Sequence, residues 1–95
     1  MLKISIQCRQ ASRLLVLEGK LIPPWTAELR EAARPSNRVD HELVIDLRGV
    51  TDISGEGEEA LYHLMVQGAK FRGGGVFVKQ ILRQLSQRMR RDDSL

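Results

Sequence analysis

The run Leu43-Val-Ile-Asp-Leu47 constrains this chain more than any other stretch. It is nearly continuous in apolar residues and bounded by Glu42 on one side and Arg48-Gly49 on the other. Such a run reads as a central strand covered on both faces, since almost none of its side chains is suited to water. An acidic turn from Asp52 to Glu59 follows, and then a helix: Ala60, Leu61, Leu64 and Met65 recur at helical spacing, and Gly68 can end the helix in a left-handed conformation.

The other segments fall around this unit. Ile4, Ile6 and Cys8 alternate with Ser5 and Gln7, and Arg13-Leu-Leu-Val-Leu-Glu18 reads as a more buried strand, with Gln10-Ala-Ser12 as the hairpin turn between them. Gly19 to Pro24 breaks the strand period, and Pro24 suits the first turn of a helix, where a missing N–H costs nothing. Trp25, Leu29, Ala32 and Ala33 give that helix its inner stripe, with Glu28, Arg30 and Glu31 outside and Pro35-Ser-Asn37 at its end. Ala69 to Gly74 is short and weakly strand-like. Val78, Ile81, Leu82, Leu85 and Met89 form the stripe of a last helix, and Arg91 to Leu95 is expected to fray. The predicted fold is therefore α/β: one domain over residues 1–95, a small mixed sheet of about four strands with three helices packed against it, in the order β-β-α-β-α-β-α.

At 95 residues the chain can bury enough surface to fold without staples. A hydrophobic content of 42% and a charged content of 28% are those of an ordinary soluble globule. No apolar run approaches the ~20 residues that span a bilayer, and Met1-Leu2-Lys3-Ile4 reads as strand rather than leader, so a cytoplasmic protein without membrane insertion is expected. Cys8 is the single cysteine, which excludes an intramolecular disulfide and a thiolate zinc site within one chain; His41 and His63 have no further ligand at metal spacing. Gly55-Glu56-Gly57-Glu58 and Arg72-Gly73-Gly74-Gly75 lack the Gly-Lys-Ser/Thr of a phosphate loop, and Ser54 sits among acids and glycines rather than at a nucleophile elbow. Asp46 is expected to satisfy loop backbone; as half of a catalytic carboxylate pair with Glu56 it needs a pocket that so short a chain scarcely provides. No enzyme activity, cofactor or metal is expected.

Charge is unevenly placed on a molecule of net charge +3. Seven basic residues and no acid lie between Val66 and Arg91, whereas Asp52 to Glu59 holds four acids and no base. A nucleic-acid-binding reading would use Arg83, Arg88, Arg90 and Arg91. Gln80, Gln84, Ser86 and Gln87 interrupt that series, only Phe77 could stack on a base, and the acids oppose a wide phosphate surface. A solvated helix face is the expectation there, and nucleic acid is not the expected partner.

Val44-Ile45-Asp46-Leu47-Arg48-Gly49-Val50-Thr51, the later Leu64-Met65-Val66-Gln67-Gly68-Ala69, and Leu17-Glu18-Gly19-Lys20-Leu21 followed by Pro24-Trp25 and Glu28-Leu29 together resemble the STAS domain of bacterial anti-sigma-factor antagonists. The resemblance spans most of the chain from Leu14 to Leu85 and rests on the order and spacing of these stretches. It implies a binding switch, in which the domain engages an anti-sigma factor, often a serine kinase, and releases a sigma factor. Phosphorylation of a serine in the turn before the second helix abolishes that binding in typical members. The usual Asp-Ser-Ser-Gly turn falls here on Ser54-Gly55-Glu56-Gly57, so the phosphoacceptor position holds Glu56.

What the resemblance implies for this chain is a non-enzymatic interaction module whose partner is an anti-sigma factor or serine-kinase-type regulator, contacted through Asp52, Ser54, Gly55, Glu56, Gly57, Glu58 and Glu59 and through Tyr62, His63 and Gln67 on the exposed flank of the second helix. Ser54 is expected to cap that helix; Ser54 and Thr51 are the alternative phosphorylation positions. Acids in the first turn stabilise a helix by roughly 0.3–1 kcal/mol each. Glu56 can additionally supply a permanent charge, smaller than the about −1.5 to −2 of phosphoserine. An accessory subunit of a lipid-transport ATP-binding cassette complex is the alternative within the fold. Monomer and homodimer both stay open.

Overall fold

In the computed structural model, residues 1–9, 11–34 and 42–93 are described. Four strands, β1 (Leu2–Cys8), β2 (Ser12–Leu21), β3 (Glu42–Ile53) and β4 (Lys70–Arg72), alternate with three helices, α1 (Trp25–Ala32), α2 (Gly55–Val66) and α3 (Val76–Asp93), in the order β-β-α-β-α-β-α. The sheet is mixed and its strands lie in sequence order. β1 is antiparallel to β2, as a short hairpin requires, and β2–β3 and β3–β4 are parallel, each pair bridged by a helix. Pro35-Ser-Asn37, Gln10 and His41, which enter the expectations above, lie outside the described residues.

Right-handed crossovers between strands that succeed one another in the same direction put their helices on one side of the sheet. Burial shows this directly. Leu15, Leu17 and Leu21 of β2 and Ile45, Leu47, Val50 and Ile53 of β3 form one core with Leu29 and Ala33, with Ala60, Leu61 and Leu64 of α2, and with Val78, Ile81 and Leu85 of α3. The stripes expected for all three helices are those that face this core.

The expectation that β3 is covered on both faces is not met. Leu14, Val16 and Val44, in register across β2 and β3, are only half-buried and stand outside the core cluster. Apolar side chains line this uncovered face because β-branched and leucine side chains suit a pleated surface whether or not a helix covers it. The face is also protected by charge: Asp46 lies there, almost fully buried, beneath the side chain of Arg48.

β3 is also longer than its apolar run suggests. It does not stop at Arg48-Gly49 but continues to Ile53, because β2 stays alongside it through two register shifts, pairing Glu18 with Gly49 and Leu21 with Ile53. α2 ends as predicted: Gly68 has φ 100°, its N–H donates to Met65 O at 3.0 Å, and the Ala69 N–H donates to Leu64 O at 2.9 Å. This pair of bonds is a Schellman cap, which only glycine enters without strain. α3 begins at Val76 and runs to Asp93. The hydroxyl of Tyr62 donates to the Asp92 carboxylate and fastens that end to α2.

The start of α2 sits hard against the end of β2. A Cβ at Gly57 would lie 2.4 Å from Leu21 O, whereas one at Gly55 meets nothing within 4 Å. Gly57→Ala is therefore expected to lower the unfolding free energy by about 1–3 kcal/mol, the usual cost of overpacking, while Gly55→Ala leaves it unchanged or slightly raised. Urea denaturation of the two variants checks this, and equal midpoints would mean that α2 is not seated on β2.

Candidate functional site

With β3 reaching Ile53, the acidic stretch is not a turn. Thr51 and Asp52 are strand residues, Ser54 is the one residue between strand and helix, and Gly55 to Glu59 make up the first helical turn and the residue that follows it. Ser54 is extended, with ψ 172°, and its Oγ accepts the Gly57 N–H at 3.1 Å. Its backbone is equally committed: the N–H donates to Leu21 O at 3.1 Å and the carbonyl accepts from the Glu58 N–H at 2.8 Å. Ser54 is thus an N-cap that also ties the helix to β2. The Thr51 hydroxyl donates to Gly19 O at 3.2 Å.

The side chains of the first turns separate onto two flanks. Glu56, Glu59, His63 and Gln67 recur at helical spacing and line the groove between α2 and α1, whose other wall is Thr26, Ala27, Arg30 and, further along, Arg34. Glu58 points the other way, into the groove between α2 and α3 walled by Gln84, Gln87, Arg88 and Arg91, which Glu59, standing between the two flanks, also borders. Glu56, His63 and Gln67 are exposed, and Gly57 is buried, so it contributes space rather than contact.

The four acids are not electrically alike. Glu59 forms an ion pair with Arg88, and this hydrogen bond holds its carboxyl below the usual range against the opposing effect of desolvation; the positive charge of Arg88 and the fields of His63 and Arg30 lower it further. Asp52, Glu56 and Glu58 make no ion pair among the described residues. The negative charge left for a partner is therefore that of Asp52, Glu56 and Glu58, the two glutamates lying at the positive end of the helix dipole.

Tyr62 corrects the expected site. It was assigned to the exposed flank, but only 6% of it is accessible. Its ring lies under the Arg88 guanidinium, 3.9 Å from centroid to Cζ, and its hydroxyl is bound to Asp92. An i+3 step from Glu59 puts it on the face toward α3, and the aromatic ring fills the α2–α3 seam. Sequence reasoning also missed Arg30, which it left simply outside the α1 stripe, and Arg88, which it read as part of a solvated basic series. Opposite charges at Glu59 and Arg88 were visible, but nothing in linear spacing brings residues so far apart together.

Asp46 does not bond the loop backbone at a strand end. It lies within β3, and its Oδ1 accepts the Arg48 N–H at 3.0 Å while both oxygens accept from the Arg48 guanidinium at 2.8 to 3.1 Å. Arg72 lies 3.6 Å away. The Arg48 hydrogen bonds hold the carboxyl below its usual range in spite of burial. Both oxygens are used, so Asp46 is structural. Among the described residues no group of three His, Cys, Asp or Glu side chains could hold a metal ion, and no helix is long and apolar enough to cross a membrane.

No protein-family model matches the sequence, and no curated protein matches it. A solved structure does: the crystal structure of an anti-sigma-factor antagonist STAS domain from Rhodobacter sphaeroides, with a TM-score of 0.59 at 19% identity, over 78% of this chain and 86% of that one. The chain has the STAS fold. The expected fold class is thereby met in strand number, helix number, order and architecture. Within the STAS fold of this chain, the acids gather at one end of the sheet, where β2 and β3 finish and α2 begins.

Two outcomes follow from this geometry. Ser54→Ala removes the cap and should cost about 0.5–2 kcal/mol in chemical denaturation. Asp46→Asn should be less stable than wild type at neutral pH, because a carboxylate depressed in the folded state contributes stability above its unfolded pKa. That difference is lost as pH falls through the folded value, so the denaturation midpoints of the two proteins should converge in acid, below the ordinary carboxylate range. Midpoints that stay apart at every pH would show that the Arg48–Asp46 charge pair is not the cause.

Proposed function

We propose that this chain is a non-enzymatic protein-interaction module that binds an anti-sigma factor, or a related serine-kinase-type regulator, through the start of α2. The observation that carries the reading is Glu56: exposed, without an internal ion pair, and in the first turn of the helix whose cap is Ser54. The solved STAS domain with which this chain shares its fold is an anti-sigma-factor antagonist, which supports the same reading. The contact surface is Asp52, Glu56 and Glu58 with His63 and Gln67, joined by Arg30 across the groove.

A carboxylate at this place is a charge that no phosphatase removes. It carries one negative charge where phosphoserine carries about −1.5 to −2, and it lacks the phosphate's three acceptor oxygens. The partner this reading requires presents a cation to Glu56, unlike the regulators of typical members, which release when this position gains a phosphoryl charge. Ser54 and Thr51 are poor alternative acceptors, because both hydroxyls are engaged in hydrogen bonds and Ser54 is half-buried.

The test uses the purified regulator and three forms of the protein. In calorimetric titration, Glu56→Lys should weaken binding by about tenfold or more, equivalent to about 1.4 kcal/mol, with Glu56→Ser between it and wild type. Incubated with ATP and the kinase, wild type should take up no phosphate, whereas Glu56→Ser should take it up at the substituted position. Stoichiometric phosphate on Ser54 or Thr51 of wild type would overturn the reading. Co-purification with an ATPase subunit and indifference to Glu56 would favour the accessory-subunit alternative.

A further inference from the structure

α3 carries a second charge pattern, apart from the α2 site. Its inner side is Val78, Ile81 and Leu85 with Leu82 and Met89. Its outer side is Lys79, Gln80, Arg83, Gln84, Gln87 and Arg90, all exposed. The glutamines that interrupt the basic series in linear sequence do not interrupt it on the helix: positions 80, 83, 84 and 87 follow an i, i+3, i+4, i+7 course and make one stripe, with Lys79 and Arg90 beside it.

These six side chains make no hydrogen bond or ion pair among the described residues. Arg9 and Arg30, outside α3, make none either, but most of the other described arginines do. Arg34, Arg48, Arg72 and Arg88 each face a carboxylate, and Arg13 donates to the carbonyls of Ala33 and Arg34. The stripe also holds no acid, since the Asp92 carboxylate is turned to Tyr62. Arg88 and Arg91 stand with Gln84 and Gln87 on the α3 wall of the groove that faces Glu58 and Glu59, so those acids border one edge of the stripe, while Lys79, Arg83 and Arg90 do not line that groove.

The composition of the stripe selects its occupant. Protein interfaces centre on aromatic and apolar residues, and an interfacial membrane helix needs an apolar face to insert; the outer side of α3 exposes Val76 and Phe77 in its first turn and is polar or charged from Lys79 to Arg90. A polar, cationic helix on a domain of pI ≈ 9.5 fits a phosphate backbone. Arg and Gln are the side chains that pair with guanine and adenine edges in the major groove of DNA, which admits a helix where that of RNA does not. We propose that the outer face of α3 binds duplex DNA, with Lys79, Arg83 and Arg90 on phosphates and the glutamine stripe toward the groove. Along the helix axis Lys79 and Arg90 are about 16 Å apart, from the 1.5 Å rise per residue, which is about half a turn of the duplex. This surface does not depend on the α2 site, and either can fail without the other.

The experiment is fluorescence anisotropy of the intact protein with a labelled 20-base-pair duplex of mixed sequence. Three phosphate contacts give a slope of log K against log salt near −2.7, or about a fortyfold loss of affinity between 50 and 200 mM salt. The triple variant Lys79→Gln, Arg83→Gln, Arg90→Gln keeps good helix formers and should abolish binding, with circular dichroism confirming the fold. A control that removes the same charge elsewhere, Lys3→Gln, Arg9→Gln, Lys20→Gln, should bind nearly as wild type. The proposal is overturned if no anisotropy change occurs up to about 100 μM protein at 50 mM salt, the weak end of non-specific DNA binding. It is equally overturned if the control loses as much as the triple variant, or if polyglutamate or anionic phospholipid vesicles compete as well as unlabelled duplex at equal charge.

Discussion

The parallel pairing of β2 with β3 is the constraint on which the rest of the structure depends. It is the longest pairing in the sheet, and it persists past two register shifts to bring Leu21 beside Ile53. Leu21 then performs three tasks at once: its side chain is fully buried, its carbonyl accepts the Ser54 N–H, and the same carbonyl leaves no room for a side chain at residue 57. The first turn of α2 is fixed against the sheet by backbone, without help from its charged side chains. Those side chains are consequently free to be acidic and outward.

Electrostatics then divides the acids by use. Glu59 is clasped by Arg88, which also covers the Tyr62 ring, and Tyr62 in turn holds Asp92. This chain of contacts docks α3 on α2 and consumes two acids and one base in doing so. An ion pair as exposed as this one adds little stability by itself; its effect is on position, since it fixes which face of α3 turns outward. Glu58 faces Arg88 and Arg91 across the groove between α2 and α3, whereas Glu56 lies on the α1 side and Lys79 and Arg83 on the outer side of α3. The polarisation visible in composition thus becomes an acidic and a basic surface that meet along that groove.

Much of this fold was legible in the sequence because the relevant signals are periodic. The three helical stripes, the glycine that ends α2 and the serine that begins it all follow from local rules, and the structure places each as those rules require. What was not legible depends on tertiary pairing. The apolar run of β3 ends at Leu47, but β2 extends the strand to Ile53 by supplying hydrogen-bond partners that no local pattern announces. The same run suggested two covered faces, and Asp46 with Arg48 instead closes part of the second face by an ion pair. Glu56 lies on the exposed start of α2, whereas Tyr62 is buried, because the choice between the α1 and α3 flanks is set by where α3 packs. Arg30 was missed for the same reason: a residue outside one helix's stripe becomes part of a groove only when a second helix stands beside it.

The central claim is that the rigid, acidic start of α2 is the surface another polypeptide touches. Backbone amide chemical-shift mapping of the labelled protein, titrated with its purified regulator, tests this most directly. The account predicts that the largest changes fall on residues 52 to 67 and on Arg30, while amides of β1 and of the uncovered sheet face around Leu14, Val16 and Val44 stay put. Shifts concentrated on that sheet face, with the amides of Gly55 to Glu59 unmoved at saturation, would contradict it.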